Sequence, residues 1–263
     1  MARRSKPGTV LITGASSGIG RALAIEYAKR GAHVVVTARR EAELASLCKQ
    51  ITETGGRAHH LVCDVADPNA AYGVAKKAEE ILGSLDMIVA NAGVGASAHA
   101  SRLRLEDVVR TIDVNVRGAM ATLLGAIPIM LGQKHGHLVG VSSIAGRRAL
   151  PGSADYSASK AALAVFMEGL RIDLGPAGLF VTDVQPGFVD TAMTAKNDFH
   201  MPFLWDAPKA ARYVADRLEH APGMVAFPAP IRLLSRLSTF LPFSVHAFVT
   251  RTAAGGSRKR TGR

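Results

Sequence analysis

Seven short apolar runs, each followed by a longer amphipathic stretch, constrain the fold of this chain more than any other feature. The apolar runs span 8–14, 33–38, 58–64, 85–91, 136–143, 179–186 and 223–228. The stretches between them predict helices over 18–30, 41–54, 68–82, 104–131, 154–175 and 207–220. Continuously apolar strands alternating with helices are typical of a parallel sheet covered on both faces. The pattern therefore predicts a doubly wound α/β fold with seven parallel strands.

Length and composition favour one domain. The chain has 263 residues, 48% of them hydrophobic, and no linker or repeat divides it. We expect a single domain over 8–228, with ligand bound beyond the carboxyl ends of the strands. Two cysteines, no secretory leader and no apolar segment near the roughly 20 residues that span a bilayer favour a cytoplasmic protein.

The net charge of +11 is concentrated at the two ends of the chain. Residues 1–8 and 251–263 together carry eight Lys and Arg residues and no Asp or Glu, so the body between them is close to balanced. This distribution predicts a flexible basic N-terminus over 1–7 and a disordered basic tail over 251–263, and it argues against nucleic-acid binding. The nine His residues show no metal-ligand spacing, so no metal is expected.

A glycine-rich segment, "TGASSGIG" at 13–20, joins the first strand to the first helix. Gly14 permits a tight turn, and Gly18 lets backbone amides approach a pyrophosphate at the positive end of the helix. Gly20 allows the helix to pack closely on the sheet. After a strand and before a helix, this motif predicts a dinucleotide site.

The end of the second strand indicates which dinucleotide binds. An acidic residue at this position would bind the ribose hydroxyls, but the sequence reads "TARRE", with Ala38 followed by Arg39 and Arg40. Two guanidinium groups suit a 2′-phosphate, which favours NADP(H) over NAD(H). An alternative for Arg40 is a solvated charge at the start of a helix.

Further motifs follow the glycine-rich segment in order: "NAG" (91–93), "DVNVRG" (113–118), "SS" (142–143), "YSASK" (156–160) and "PGFVDT" (186–191). Together these motifs resemble those of the short-chain dehydrogenase/reductase family over nearly the whole domain. The resemblance implies a Rossmann fold and hydride transfer between a nicotinamide and a carbonyl or secondary alcohol.

The resemblance implies a catalytic set of Asn115, Ser143, Tyr156 and Lys160. Tyr156 would act as the acid/base, and Lys160, one helical turn away on the same face, would lower the pKa of the phenol towards working pH. Ser143 would orient the reacting oxygen, with the adjacent Ser142 a weaker candidate. Asn115 would support a water chain leading to the lysine.

The resemblance also implies a set of cofactor contacts. Asp64 would hold the adenine amino group, Pro186 and Gly187 would border the nicotinamide, and Thr191 would reach its carboxamide or the phosphates. The full set is Gly14, Ser16, Ser17, Gly18, Ile19, Gly20, Arg39, Arg40, Asp64, Val65, Asn91, Ala92, Gly93, Tyr156, Lys160, Pro186, Gly187, Val189 and Thr191.

The segment over 229–250 predicts an amphipathic helical extension. Ile231, Leu234, Leu237 and Leu241 recur at helical spacing, and Pro242 separates them from a second apolar piece, "FSVHAFV". The extension could be a lid over the substrate, an oligomer contact or an attachment to an anionic membrane. Packing on its own domain or on a partner subunit is favoured over membrane contact.

The substrate is expected to be a hydrophobic small molecule. This expectation rests on an apolar stretch containing Met193, Phe199, Met201, Phe203, Leu204 and Trp205. We also expect a homodimer or homotetramer, with a dimer built on the helices at 104–131 and 154–175. Two other classes stay open: a non-catalytic NADP(H)-sensing scaffold, and a membrane-peripheral protein acting on lipids.

Overall fold

A computed structural model describes residues 6–95, 98–196 and 201–255. Its centre is a seven-stranded sheet in the order β3-β2-β1-β4-β5-β6-β7, in which every neighbouring pair is parallel. The strands are β1 (Thr9–Thr13), β2 (His33–Ala38), β3 (Arg57–Val62), β4 (Met87–Ala90), β5 (His137–Val141), β6 (Phe180–Pro186) and β7 (Met224–Phe227). The predicted doubly wound parallel sheet is confirmed.

Helices connect the strands and cover both faces of the sheet. They are α1 (Gly18–Lys29), α2 (Glu41–Glu53), α3 (Pro68–Leu82), α4 (Leu105–Ile112), α5 (Ala119–Gln133), α6 (Ala154–Leu174), α7 (Ala207–Leu218), α8 (Ala229–Ser238) and α9 (Phe243–Gly255). Up to residue 228, the ends of the predicted strands and helices differ from those of the structure by at most two residues. The predicted helix over 104–131 contains a π-helical turn, Asp113–Gly118, between α4 and α5.

Alternate residues of the central strands enter two separate apolar cores. In β1, Val10 and Ile12 belong to the core beneath α1, α2 and α7, whereas Leu11 between them belongs to the core beneath α3, α5 and α6. All three side chains are fully buried. Burial of each such side chain stabilises the fold by about 1.5–3 kcal/mol, which explains why the strand sequences are apolar throughout.

The strand order reverses beside β1, which pairs with β2 on one side and with β4 on the other. The helices that follow β1 and β4 therefore leave the sheet towards opposite faces and open a crevice at the carboxyl ends of these strands. The glycine-rich segment and the "NAG" segment are the two chain segments that enter this crevice.

The helical run Leu105–Gln133 corrects one expectation. Its 29 residues have a mean hydropathy of 1.5 in the most apolar window, so a segment long and apolar enough to cross a membrane does exist. Half of that window is buried inside the fold. Leu123, Ala126 and Met130 of α5 lie in the core against α3, and this burial accounts for the apolar character of the run.

The outer faces of α4 and α6 expose apolar side chains, namely Leu105, Val109, Val165 and Ile172. These are the helices on which the dimer is expected. The homodimer or homotetramer stays a prediction.

The C-terminal extension forms two helices, but its packing differs from the expected one. Of the four predicted apolar positions, Ile231 is partly buried against the domain, whereas Leu234, Leu237 and Leu241 are exposed. Residues 251–255, predicted as disordered tail, are the last residues of α9, and residues 256–263 lie outside the described part of the chain. Residues 1–5 of the predicted flexible N-terminus lie outside it as well.

The contact between α3 and α5 gives a stability prediction. A β-carbon on Gly125 would lie 2.1 Å from the carbonyl oxygen of Tyr72, so Gly125→Ala should lower the free energy of unfolding by about 1–3 kcal/mol. Gly132 in the same helix faces open space, and Gly132→Ala should raise it by up to about 1 kcal/mol. Urea unfolding measures both; equal stabilities would contradict the close approach of the two helices.

Candidate active site

Three backbone segments converge at the glycine-rich turn after β1. Gly14 has a φ of +67°, and a β-carbon there would lie 2.6 Å from Cα of Ala92. Gly18 has a φ of +58°, and a β-carbon there would lie 2.9 Å from Cγ2 of Thr191. Only glycine combines this backbone conformation with this close approach. The free amides at the start of α1 therefore face a space that side chains leave open, which fits a dinucleotide pyrophosphate.

Hydrogen bonds tie the "NAG" segment to the same turn. The hydroxyl of Thr13 accepts bonds from the amides of Asn91 and Ala92, each at 3.1 Å. The side-chain amide of Asn91 donates to the carbonyl of Thr13 at 2.9 Å. A β-carbon on Gly20 would lie 2.4 Å from Nδ2 of Asn91, so Gly20 permits this packing. The sequence analysis assigned no role to Thr13; its buried hydroxyl, followed directly by Gly14, was the available signal.

A cavity of about 430 Å³ begins at this turn and runs along the carboxyl ends of the strands. It is lined by every predicted cofactor contact except Gly20, and by Ser143. The remaining lining residues were not among the predicted cofactor contacts: Ala38, Cys63, Val94, Val114, Val141, Ser142, Ala192, Met193 and Thr194. The cavity joins segments far apart in sequence, and its donor groups and glycine cradle fit NAD(P).

The two arginines after β2 have different partners. Arg40 Nη2 donates to the hydroxyls of Ser16 at 2.9 Å and Ser17 at 3.1 Å, in the glycine-rich turn. Arg40 also pairs with Glu43 at 3.3 Å in the first turn of α2, so it is an exposed helix-start charge that in addition reaches the glycine-rich turn. Arg39 lies 3.8 Å from the carboxylate of Asp64. Both guanidinium groups line the cavity, and no carboxylate occupies position 38.

Tyr156 lies in the first turn of α6, with Ser143 and Lys160 as its neighbours. The hydroxyl of Ser143 accepts a bond from the amide of Ala145 at 3.1 Å and donates to the carbonyl of Pro186 at 3.3 Å. Lys160 Nζ lies 5.7 Å from the centre of the Tyr156 ring. A β-carbon on Gly95 would lie 2.7 Å from Cδ2 of this ring, so the ring packs directly on the backbone.

The expected lowering of the Tyr156 pKa by Lys160 is not found. Burial raises the pKa of Tyr156, and the hydrogen bond from Ser143 acts in the opposite direction. Lys160 Nζ instead donates to the carbonyl of Val141 at 2.8 Å and lies 5.7 Å from the centre of the Tyr156 ring. In this structure the group that favours the phenolate is therefore the serine.

Asn115 is fully buried in the π-helical turn and does not line the cavity. Its side chain accepts a bond from the amide of Val94 at 2.8 Å and donates to the carbonyl of Val94 at 2.8 Å and to Ser159 Oγ at 3.0 Å. A β-carbon on Gly93 would lie 3.4 Å from both Asn115 Oδ1 and Lys160 Nζ, so the missing side chain leaves space between them. The water chain stays a prediction.

Comparisons with known proteins agree with this geometry. A family model described as "short chain dehydrogenase" matches residues 8–201. An uncharacterized oxidoreductase of Myxococcus xanthus is 43% identical over 89% of this chain and 92% of that protein. A short-chain dehydrogenase/reductase of Burkholderia phymatum in complex with NAD superposes with a TM-score of 0.82 at 26% identity, covering 90% of this chain and 94% of that one. A Beutenbergia cavernae protein with bound NADP gives 0.77 at 27% identity, covering 85% and 96%.

The chain belongs to the short-chain dehydrogenase/reductase family. It is an oxidoreductase with an NAD(P)-binding Rossmann fold, as the resemblance of its motifs implied. Within the described residues, no group of three or more His, Cys, Asp or Glu side chains is placed to hold a metal ion.

Behind the site of this short-chain dehydrogenase/reductase lies a buried polar network that the sequence analysis missed. Asp183 on β6 accepts hydrogen bonds from Ser142 Oγ and from Gln185 Nε2, and Gln185 Oε1 accepts one from Arg147 Nε at 2.6 Å. Burial raises the pKa of Asp183, and its hydrogen bonds and the charge of Lys160 oppose this shift. An acid inside a strand was the signal in the sequence, since isolated buried carboxylates are costly without such partners.

Lys160 is buried close to this carboxylate. Burial lowers the pKa of Lys160 from 10.5 to about 8, and the charge of Asp183 opposes the shift. The side chain of Ser142 points to this network, whereas that of Ser143 points to Tyr156, as expected for neighbours on an extended chain.

A second, apolar cavity of about 160 Å³ adjoins the phenol of this short-chain dehydrogenase/reductase. Its lining includes Ile144, Leu150, Pro151, Phe188 and Ile231, together with Ser143 and Tyr156.

Of the apolar residues expected to form the substrate site, only Met193 lines this cavity among those described. Trp205 stacks on Phe227 in the core under α7, with ring centres 5.2 Å apart, so its predicted place at the substrate is wrong. Phe203 and Leu204 are exposed, and Phe199 lies outside the described residues. These residues were grouped because they are close in sequence, but the chain turns back into the core at Trp205 and so does not keep them on one surface.

The shifted pKa of Lys160 gives a prediction that does not depend on turnover. Because the folded-state pKa is near 8 and the unfolded value near 10.5, the buried charge costs stability near neutral pH, and the cost disappears as the pH rises through both values. We therefore compare the free energy of unfolding of Lys160→Met with that of the natural chain. The difference, variant minus natural chain, should be about 2–3 kcal/mol larger near pH 7 than near pH 10. Urea unfolding at both pH values measures it; a pH-independent difference would contradict the shift.

Proposed function

We propose that this protein is an NADP(H)-dependent oxidoreductase acting on a carbonyl, or on a secondary alcohol in the reverse direction, of a hydrophobic small molecule. Tyr156 is the proposed acid/base, with Ser143, Lys160 and Asn115 completing the catalytic set. The observation that carries the proposal is the position of the phenol. Tyr156 and Ser143 line both the nucleotide cavity and the apolar cavity, so they stand where the two meet.

The chemistry follows from this position. When bound, NADP(H) supplies a hydride to the substrate or accepts one from it. The Tyr156 hydroxyl donates its proton to a carbonyl oxygen that enters from the apolar cavity, or accepts a proton from an alcohol. Ser143 hydrogen-bonds the same oxygen and stabilises the charge that develops on it, while its own position is fixed by Ala145 and Pro186.

Lys160 serves the phenol in two ways under this proposal. A pKa near 8 leaves the ammonium charged in most molecules at neutral pH and able to exchange its proton. Its Nζ lies 5.7 Å from the centre of the Tyr156 ring, within reach of a proton relay that restores the phenol after it has given up its proton. Asn115, across the gap at Gly93, holds the Val94 backbone that forms this side of the site.

The preference for NADP(H) rests on residues of this chain, since the solved relatives carry either dinucleotide. Arg40 and the hydroxyls of Ser16 and Ser17 form a cluster of hydrogen-bond donors at the adenosine end of the cavity, with Arg39 beside it. Such a cluster suits a phosphate dianion, and Ala38 supplies no carboxylate to repel it.

Replacing the phenol tests the catalytic assignment. Tyr156→Phe should lower kcat on any accepted ketone by about 10²–10⁴-fold because the proton donor is lost, while NADPH binding is retained. The exposed Tyr72 provides a matched control, and Tyr72→Phe should leave kcat unchanged. A ketone and alcohol panel, followed by absorbance of the reduced nicotinamide, measures activity, and quenching of the intrinsic fluorescence measures binding. Full activity of Tyr156→Phe would remove the proposal.

Replacing the arginines tests the cofactor preference. Arg39→Ala and Arg40→Ala should each raise KM for NADPH by about 10–100-fold, the equivalent of one charge-assisted hydrogen bond, and change KM for NADH little. Arg57→Ala, at the amino end of the neighbouring strand β3 and outside the cavity lining, is the control. Parallel initial rates with both dinucleotides give the comparison. If both variants keep the natural chain's ratio of kcat/KM with NADPH to kcat/KM with NADH, the arginines do not determine the preference and this assignment is refuted.

A further inference from the structure

The C-terminal helices α8 and α9 and the turn between them carry many exposed apolar side chains. The exposed fractions reach 87% for Phe240, 77% for Phe243 and 70% for Phe248. We call this set the outer face; it consists of Leu233, Leu234, Leu237, Phe240, Leu241, Phe243, Val245, Phe248 and Val249. Isolated exposed apolar residues are normal on a soluble protein, but nine of them between positions 233 and 249, in two successive helices and the turn that joins them, mark an interaction surface.

Helical spacing separates this face from the one that packs on the domain. In α8, Ile231, Ser235 and Ser238 recur at intervals of three and four and are the partly buried positions. Leu233 and Leu237 are exposed on the opposite side. The apolar side of α8 therefore points to solvent, while serines lie against the protein, which is the reverse of the arrangement of an ordinary core-covering helix.

Hydrogen bonds hold both helices in this orientation. Arg148 donates to the carbonyls of Ser238 and Leu241 at the end of α8. Nε2 of His246, a buried residue of α9, donates to the carbonyl of Ala149 at 3.0 Å. Because neighbouring residues of one segment anchor both helices, the outer face is a fixed part of the fold.

The surroundings of the outer face are strongly cationic. No Asp or Glu occurs anywhere between 220 and 263, whereas this segment contains seven Lys and Arg residues. Arg232 and Arg236 are exposed on α8 and Arg251 on α9. Burial and the nearby charges of Arg236 and Arg232 lower the pKa of Arg147, which shows that these arginines are crowded together.

We propose that the outer face docks on the surface of an anionic lipid bilayer, with its Leu and Phe side chains in the acyl region and its arginines at the lipid phosphates. The combination of exposed apolar side chains, flanking arginines and a complete lack of acidic residues fits such a surface. A second copy of the chain fits less well. In a two-fold interface the same patch from both copies meets, so the arginines of one copy would face a second cationic patch with no carboxylate in the segment to neutralise them.

Docking would also place the apolar cavity near the lipid. Ile231 of α8 lines that cavity together with Leu150 and Pro151. A hydrophobic substrate dissolved in the bilayer would then reach Tyr156 without crossing bulk water. This consequence rests on the proposed function, whereas docking itself does not.

Sedimentation of the full chain with vesicles tests the docking. The vesicles are phosphatidylcholine alone or phosphatidylcholine with about one-third phosphatidylglycerol. We expect binding to the anionic vesicles only, weakened about tenfold or more by Leu233→Ser/Phe240→Ser, which removes two buried anchors. Arg232→Gln/Arg236→Gln should weaken it about fivefold for each arginine. The control Val62→Ser/Tyr72→Ser replaces side chains of similar exposure elsewhere and should bind as the natural chain does.

Three results would overturn the proposal: no binding to anionic vesicles, undiminished binding by Leu233→Ser/Phe240→Ser, or conversion of an oligomer to monomer by that variant in the absence of lipid. The last would identify the outer face as a contact between copies. Circular dichroism and urea unfolding establish that each variant is folded. Dinucleotide binding, measured by fluorescence, separates a failure of docking from a failure of the proposed function.

Discussion

The site depends on the close approach of two backbone segments at the point where the strand order reverses. Gly14 packs against Ala92, and Thr13 binds the amides of Asn91 and Ala92, so the loops after β1 and β4 act as one rigid unit. The same loop continues through Gly93, beside Lys160 and Asn115, to Gly95 beneath the Tyr156 ring. One set of backbone contacts thus fixes the dinucleotide cradle and the catalytic groups relative to each other.

A second constraint lies behind the catalytic lysine. Removing an ammonium from water is costly, and the protein opposes that cost with the carboxylate of Asp183 and with the Val141 carbonyl. Ser142 and Gln185 in turn donate to the oxygens of Asp183, and Arg147 donates to Gln185. The lysine is therefore supported from the side remote from the substrate, by residues of two neighbouring strands and the segment that follows β5.

Much of the fold could be predicted because local pattern and tertiary structure agree. Strands buried on both faces of a parallel sheet must be apolar on both sides, so runs such as "HVVVTA" can be predicted as strands from the sequence. The glycines of the first turn likewise predict the position of the crevice. The Tyr156–Lys160 pair was found from its spacing and from the company of the other motifs. The roles within it were less predictable: the direction of the Tyr156 pKa shift depends on burial and on which atom the lysine reaches, and neither follows from spacing.

The errors have a common physical cause. Trp205 and Leu234 were placed by hydrophobicity alone, yet one lies in the core and the other in solvent. A hydrophobic side chain can lie in the core, in a substrate site or on an interaction surface, and hydrophobicity alone does not distinguish these places. Likewise, Arg40 reaches Ser16 and Ser17 whereas Arg39 lies beside Asp64, and these partners are more than twenty residues away in the sequence. Such pairings arise from the fold and have no local signature.

The contact between Gly95 and the Tyr156 ring has one last consequence. With a backbone surface on one side and Ser143 at the hydroxyl, the ring has little room for other rotamers before any ligand arrives. The ring loses its conformational entropy when the protein folds. Substrate binding therefore requires no further ordering of this side chain. Gly95 thereby increases the fraction of molecules in which the Tyr156 hydroxyl already has the orientation needed for proton transfer when a substrate binds.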